Sequence, residues 1–173
     1  MKHFTLIIIA LLISVSAMAQ QLDADFVQTR VMKVSGKTTT MQGHLTFDGN
    51  DQLSMIYNEP EGEYFIIDGI QVKMNMAGKK AVIDSEKVPM VKLQRITLLN
   101  CLSGNWDDAA KDNNATTNVT EANGNRTVLI KTEGRVPKGG YSAVELTYRI
   151  ADGALTKMML EDALGIKNFY ELK

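Results

Sequence analysis

Residues 53–76 read LSMIYNEPEGEYFIIDGIQVKMNM. Leu53, Met55 and Tyr57 alternate with Ser54 and Ile56, and Phe65 and Ile67 sit just before Asp68-Gly69. Ile70, Val72, Met74 and Met76 then alternate with Gln71, Lys73 and Asn75. Side chains along a strand point to opposite faces in turn, so this run has one apolar and one polar face. Asn58-Glu59-Pro60-Glu61-Gly62 is rich in turn formers. Asp68-Gly69 between two strand-like runs is a hairpin signal, because Gly accepts the positive φ such turns need. The stretch predicts three short strands with one greasy face, and something must cover that face.

Further strands flank it on both sides. Residues 22–34 carry Phe26, Val27, Val31 and Val34 and end at Ser35-Gly36. A polar, Thr-rich run over 37–41 leads into a strand at 43–47, and Asp48-Gly49-Asn50-Asp51 turns the chain. A short strand at 81–84 follows the Gly78-Lys79-Lys80 turn. The period then changes. Val88, Val91, Ile96, Leu98, Leu99 and Leu102 recur at helical spacing, with Asp84 or Ser85 as cap and Pro89 in the first turn. Gly104 stops this helix, and Asn105 caps a shorter one through Trp106, Ala109 and Ala110. Strands are expected again at 115–122, 127–132, 142–150, 155–161 and 166–172. The cleanest is 142–150, where Val144, Leu146, Tyr148 and Ile150 alternate with Ala143, Glu145, Thr147 and Arg149. The count is roughly ten or eleven strands and one helical insertion.

At the start, Lys2 and His3 precede an apolar run from Phe4 to about Val15, and Ala17-Met18-Ala19 supplies a small-x-small cleavage site. We expect a cleaved secretory signal over 1–19, an exported mature chain from Gln20, and one domain over 20–173. No Cys follows the cleavage site, so no lipid anchor is expected there. With 19 basic and 20 acidic residues interspersed, the chain has no basic stripe for nucleic acid and no pull toward an acidic membrane surface. The single cysteine, Cys101, cannot form an internal disulfide, so the fold must hold by packing. Of ten methionines, eight lie beyond the signal. Met is flexible and polarizable, and suits either a core or a surface that accepts varied apolar shapes.

No catalytic constellation is found. His3 falls in the signal, which leaves His44 alone on a strand; without a second His no common zinc triad forms. Cys101 lies among leucines and reads as a buried, inert thiol. Glu59, Glu61, Glu161 and Asp162 are scattered at turns and strand ends, and the glycines form no phosphate-cradling loop. Sequons at Asn114, Asn118 and Asn125 fall in an Asn/Thr-rich stretch, where they arise by chance. We expect no enzyme, no metal and no cofactor. Two physical readings of the covered face remain open: the helix plugs it permanently, or the face is a cavity with the helix as a movable lid. Acyl chains suit such a cavity, because each buried CH₂ is worth about 0.8 kcal/mol.

Four segments in order resemble the periplasmic outer-membrane lipoprotein carriers (the LolA-like family). Asp25-Phe26-Val27-Gln28-Thr29 resembles the family's Phe-x-Gln signature. Gly43-His44-Leu45-Thr46-Phe47 resembles its G-x-L-x-F strand. QLSMIYNEP, 52–60, resembles its L-R-W-x-Y-x-x-P segment, and YFIIDGIQV, 64–72, its hairpin. The resemblance implies a mainly β chain: a single antiparallel, incomplete (half-open) β-barrel with a helical lid inserted mid-sequence. It implies a periplasmic carrier that takes lipoproteins released by an inner-membrane complex, shields their acyl chains, and passes them to an outer-membrane acceptor without a covalent step. Three departures stand out. The helix usually found before Phe-x-Gln is absent, no Arg or Lys occurs in 48–55, and Met55 replaces the usual Trp. The basic residue normally helps hold the lid, so lid closure here must differ.

On this reading Leu45, Phe47, Met55, Tyr57, Phe65, Ile67, Val72, Met74, Val144 and Leu146 are candidates for the concave, cargo-binding face. Val91, Ile96 and Leu99 are candidates for the lid. The cargo is lipoprotein acyl chains or another lipid, and a monomer is expected. A non-catalytic structural or sensory module, binding a protein partner through its apolar face or a sheet edge, is the alternative.

Overall fold

The computed structural model describes residues 21–173; the expected signal, 1–19, lies outside the described residues. Eleven strands form one antiparallel sheet: β1 (Leu22–Met32), β2 (Thr38–Phe47), β3 (Gln52–Glu59), β4 (Tyr64–Asp68), β5 (Gln71–Met76), β6 (Lys79–Asp84), β7 (Ala115–Ala122), β8 (Asn125–Thr132), β9 (Tyr141–Arg149), β10 (Leu155–Asp162) and β11 (Ile166–Leu172). The spatial order is β6-β5-β4-β3-β2-β1-β11-β10-β9-β8-β7. Two meanders, β1–β6 and β7–β11, are joined through the first and last strands, with Phe26 opposite Leu172 and Arg30 opposite Asn168. β6 and β7 do not pair with each other, so the sheet stays open. The segment that connects those two free edges is helical: α1 (Pro89–Leu102) and α2 (Trp106–Asp112).

The alternation read from the sequence places the inward face. Leu53, Met55 and Tyr57 of β3, Ile67 of β4, Val72 of β5, and Val144 and Leu146 of β9 are all buried. The two-residue loop between β4 and β5 is Gly69-Ile70, one position later than Asp68-Gly69, because Asp68 still pairs with Gln71. Gly69 has φ +56°. Glycine with positive φ at the first loop position is what a tight hairpin of this kind needs.

Several boundaries differ from expectation: β1 ends at Met32, β6 begins at Lys79 inside the expected turn, β8 begins at Asn125, and β9 runs Tyr141–Arg149 and leaves Ile150 outside it. β2 begins at Thr38: the Thr-rich run is strand, held because Thr38–Thr40 pair with Thr29–Val31 of β1. Asp84 caps a separate 3₁₀ turn, Ser85–Lys87, by accepting from the Glu86 amide. The α-helix starts only at Pro89, where the missing N–H leaves no helical bond unmade. No helix among the described residues is long and apolar enough to cross a membrane.

Candidate functional site

Helix α1 lies against the concave face. Val91, Leu98, Leu99, Cys101 and Leu102 are buried in one cluster with the inward residues of the sheet, and Ala109 and Ala110 of α2 join them. Burial of each large side chain is worth about 1.5–3 kcal/mol, so the helices complete the core rather than decorate it. Cys101 is fully buried. Burial pushes its thiol pKa up to about 12, which keeps it protonated and unreactive.

Two of the resembling motifs have direct physical roles. Phe26 and Gln28 share the inward face of β1. The Phe26 ring meets Tyr57 edge-on at 5.2 Å and lies 6.0 Å from the Tyr170 ring. It sits over Gly43, where a Cβ would fall 2.8 Å from its Cζ atom and 2.2 Å from the Ile56 carbonyl oxygen. Gln28 then satisfies the polar groups on this floor. Tyr57 Oη donates to Gln28 Oε1 at 2.7 Å, and Gln28 Nε2 donates to Asn168 Oδ1 at 3.0 Å. Burial pushes the Tyr57 pKa up to about 12, so it remains a donor at any ordinary pH.

Packing does not fill the concave face uniformly. A cavity of about 250 Å³ remains between α1 and the sheet. Its apolar walls are Met55, Tyr57, Phe65, Met76, Met158, Leu160 and Tyr170, and Gln94 and Leu98 of α1 form its roof. That volume lies just under the range of about 300–1,000 Å³ usual for small-ligand sites. A broader recess of about 500 Å³ lies at the opposite rim, around Leu22, Phe47, Leu53 and Ile67, and no residue of α1 lines it.

Of the residues read from the sequence, Met55, Tyr57 and Phe65 line the cavity. Leu45, Phe47, Ile67, Val72, Met74, Val91, Leu99, Val144 and Leu146 belong to the packed cluster and are not on its wall. Ile96 is half-buried and outside that cluster. Missed from sequence were Gln28, Met76, Leu98, Met158, Leu160, Asn168 and Tyr170. Met158, Leu160 and Tyr170 sit at inward positions of their strands. Leu98 lies seven residues after Val91, on the same helix face, so periodicity could have found it.

Helix α1 is tied down before, within and after its span. At its entry, Ser85 N and Oγ both donate to the Ile70 carbonyl, at 2.9 and 2.7 Å. Arg95 Nη1 donates to the Gly69 carbonyl at 3.1 Å, and Nη2 reaches Glu86 at 3.0 Å. A cation on the helix itself thus grips the β4–β5 hairpin, in a chain that has no Arg or Lys over 48–55. Glu86 also pairs with Lys92. At the exit, Trp106 Nε1 donates to Tyr148 Oη at 3.2 Å, and Asn113 ties α1, α2 and β9 together. Gln94 and Leu98, which roof the cavity, make no side-chain hydrogen bond themselves among the described residues, but they bracket Arg95 and Thr97, which do.

His44 lies on the outer face, half-exposed, between two carboxylates. Nε2 is 2.9 Å from Asp23 Oδ1 and Nδ1 is 2.8 Å from Asp25 Oδ1. Ionised carboxylates only accept, so the arrangement calls for the doubly protonated ring. The Asp25 hydrogen bond, with the charge of both aspartates, raises the pKa above 6.5. The stabilisation is therefore complete below pH 6.5 and is lost as pH rises through the raised value. Exposure and salt keep it below about 1 kcal/mol. An NMR titration is expected to place His44 above 6.5 and to show a larger drop in Asp25→Asn than in Asp23→Asn. A wild-type value at or below 6.5 would contradict the clamp.

The model of the family described as outer membrane lipoprotein carrier protein LolA matches residues 17–173. No curated protein matches the chain. Among solved structures, a LolA superfamily protein of Nitrosomonas europaea is similar at 11% identity, with 90% of this chain and 84% of that one covered and a TM-score of 0.40. The lipoprotein LppX of Mycobacterium tuberculosis is similar at 11% identity, covering 91% and 87%, with a TM-score of 0.39. The MucA/MucB complex of Pseudomonas aeruginosa is similar at 9% identity, covering 90% of this chain and 52% of that one, with a TM-score of 0.47.

Proposed function

The chain belongs to the outer membrane lipoprotein carrier protein LolA family, and we propose that it is a periplasmic carrier shielding acyl chains of lipoproteins or related lipids under α1. In this reading it takes cargo from an inner-membrane releasing complex and yields it to an outer-membrane acceptor. One observation carries the proposal. An apolar cavity lies between α1 and the sheet, and its roof residues Gln94 and Leu98 are held by packing rather than by side-chain hydrogen bonds of their own. Apolar contacts are non-directional, so an entering chain can lie against the apolar walls that Leu98, Met158 and Leu160 supply. The cavity of about 250 Å³ is small for a long acyl chain, so loading widens the space between α1 and the sheet. Both steps are non-covalent.

Filling the cavity tests this. Leu98→Trp adds volume where space exists, and is expected to lower acyl-chain affinity at least tenfold, about 1.4 kcal/mol. The melting temperature should stay within a few degrees of wild type. Unchanged affinity in a folded Leu98→Trp protein would place the acyl site elsewhere.

A second reading rests on the open sheet. β6 is a free edge and exposes Val82, which is 68% accessible. Edge strands can accept a partner strand. A partner that stays bound while acyl chains are added in excess would favour it.

A further inference from the structure

The cavity under α1 adjoins a charged recess. This second space, of about 340 Å³, lies at the rim, and Arg30 and Met76 belong to the walls of both. It forms a mouth beside the inner cavity, with Arg30 and Met76 at the boundary. Shielding a hydrocarbon chain needs no charge at this place, yet Arg30 and Glu63 both face the mouth.

Neither side chain is neutralised. Among the described residues, Arg30 forms no ion pair or side-chain hydrogen bond, and Glu63 forms no ion pair. Glu63 Oε1 accepts from the Ala77 amide at 2.7 Å, which leaves its other oxygen open. Asn168 stands opposite Arg30 in the β1–β11 register. Its Oδ1 is taken by Gln28, so its Nδ2 is left to donate into the cavity. Asp162 also lines the inner wall; its Oδ1 accepts from the Leu164 and Ile166 amides in the β10–β11 turn, at 2.8 and 2.9 Å, and its other oxygen, like that of Glu63, is open among the described residues. The mouth is thus no simple anion trap. It offers one cation and one carboxylate that do not pair with each other.

We propose that this mouth binds a zwitterionic lipid head group. Arg30, with Asn168 Nδ2 beside it, takes the phosphate; a guanidinium matches phosphate oxygens in a fork that an ammonium cannot reproduce. Glu63 takes the ammonium. The acyl chain runs inward past Met76. The inference rests on the carrier reading above and adds the chemical class of cargo to it.

The test uses the purified chain and three palmitoyl probes below their micelle concentrations: lysophosphatidylethanolamine, lysophosphatidylglycerol and monopalmitoylglycerol. Each displaces a fluorescent fatty acid. Lysophosphatidylethanolamine is expected to bind about tenfold tighter than the neutral glyceride, with the anionic lipid between them, the scale of one charge-assisted hydrogen bond. Arg30→Gln should weaken both phospholipids, with lysophosphatidylethanolamine still the tighter of the two because Glu63 keeps its ammonium. Glu63→Gln keeps the oxygen that accepts from Ala77 and should lower only lysophosphatidylethanolamine, to the level of the anionic lipid. Free phosphoethanolamine at millimolar concentration should displace nothing, because the chain supplies most of the affinity. Equal binding of all three lipids, or tighter binding of the anionic one, overturns the head-group site and leaves the carrier reading standing. Displacement by free phosphoethanolamine likewise overturns it, in favour of a small-molecule site. Absence of binding by any of the three overturns both.

Discussion

Asn113→Ala is expected to cost about 3–4 kcal/mol of stability and to free both helices from the sheet. Asn113 is 2% exposed and uses three hydrogen-bonding positions of its amide. Nδ2 donates to Thr97 Oγ1 at 2.7 Å and to the Ala109 carbonyl at 2.9 Å, and Oδ1 accepts from the Tyr141 amide at 3.1 Å. Alanine leaves Thr97 and the Tyr141 amide without these partners in the interior, and each orphaned group costs about 1–3 kcal/mol. The volume lost is small, so the polar groups dominate. Because the three partners belong to α1, α2 and β9, amide exchange in 89–112 should rise more than in β1–β3. Urea unfolding with a loss under about 1 kcal/mol would show that water replaces the network without strain.

Gly43→Ala is expected to be about as damaging, by about 3 kcal/mol or more, for a steric reason. The added Cβ would lie 2.2 Å from the Ile56 carbonyl oxygen and 2.8 Å from Phe26 Cζ. A ring can tilt, but a strand carbonyl moves only with its strand. β2 and β3 must therefore part at the place where their register already shifts, between Gln42 and Gly43. Gly36→Ala is the control. Its φ is +64° and nothing lies within 4 Å, so only backbone strain of about 1–2 kcal/mol is expected there. If the two variants unfold at the same denaturant concentration, close approach is not what requires Gly43.

These sites show what the sequence made legible and what it did not. Alternation in 53–76 and 142–150 is decided by local pattern: Leu53, Met55 and Tyr57 of β3, Val72 of β5, and Val144, Leu146 and Tyr148 of β9 are buried as it requires, whereas Ile70 and Ile150 fall in turns and are exposed. The change of period at Pro89 likewise marks α1. Where the helix lies across the sheet is a tertiary matter that no local pattern encodes. Leu45, Phe47, Val72, Val144 and Leu146 therefore looked equivalent to Met55 and Phe65, although only the latter two face the space that α1 leaves. Phe47→Glu, for example, would bury a charge at a site 2% exposed and report on folding rather than on cargo. Gln28 was legible as part of a motif but not as part of a site. A polar residue at an inward position of an otherwise apolar strand is the signal that pointed to it. Arg95 escaped notice because its partner is a backbone carbonyl of the distant β4–β5 loop.

The central claim is that the space beneath α1 receives acyl chains. Titration of the purified protein with a dansyl-labelled undecanoic acid tests it most directly. The account predicts saturable one-to-one binding with blue-shifted emission, reversed by a palmitoyl lipid and weakened at least tenfold, about 1.4 kcal/mol, in Leu98→Trp. Emission that never saturates, or binding that Leu98→Trp leaves untouched in a folded protein, would contradict it.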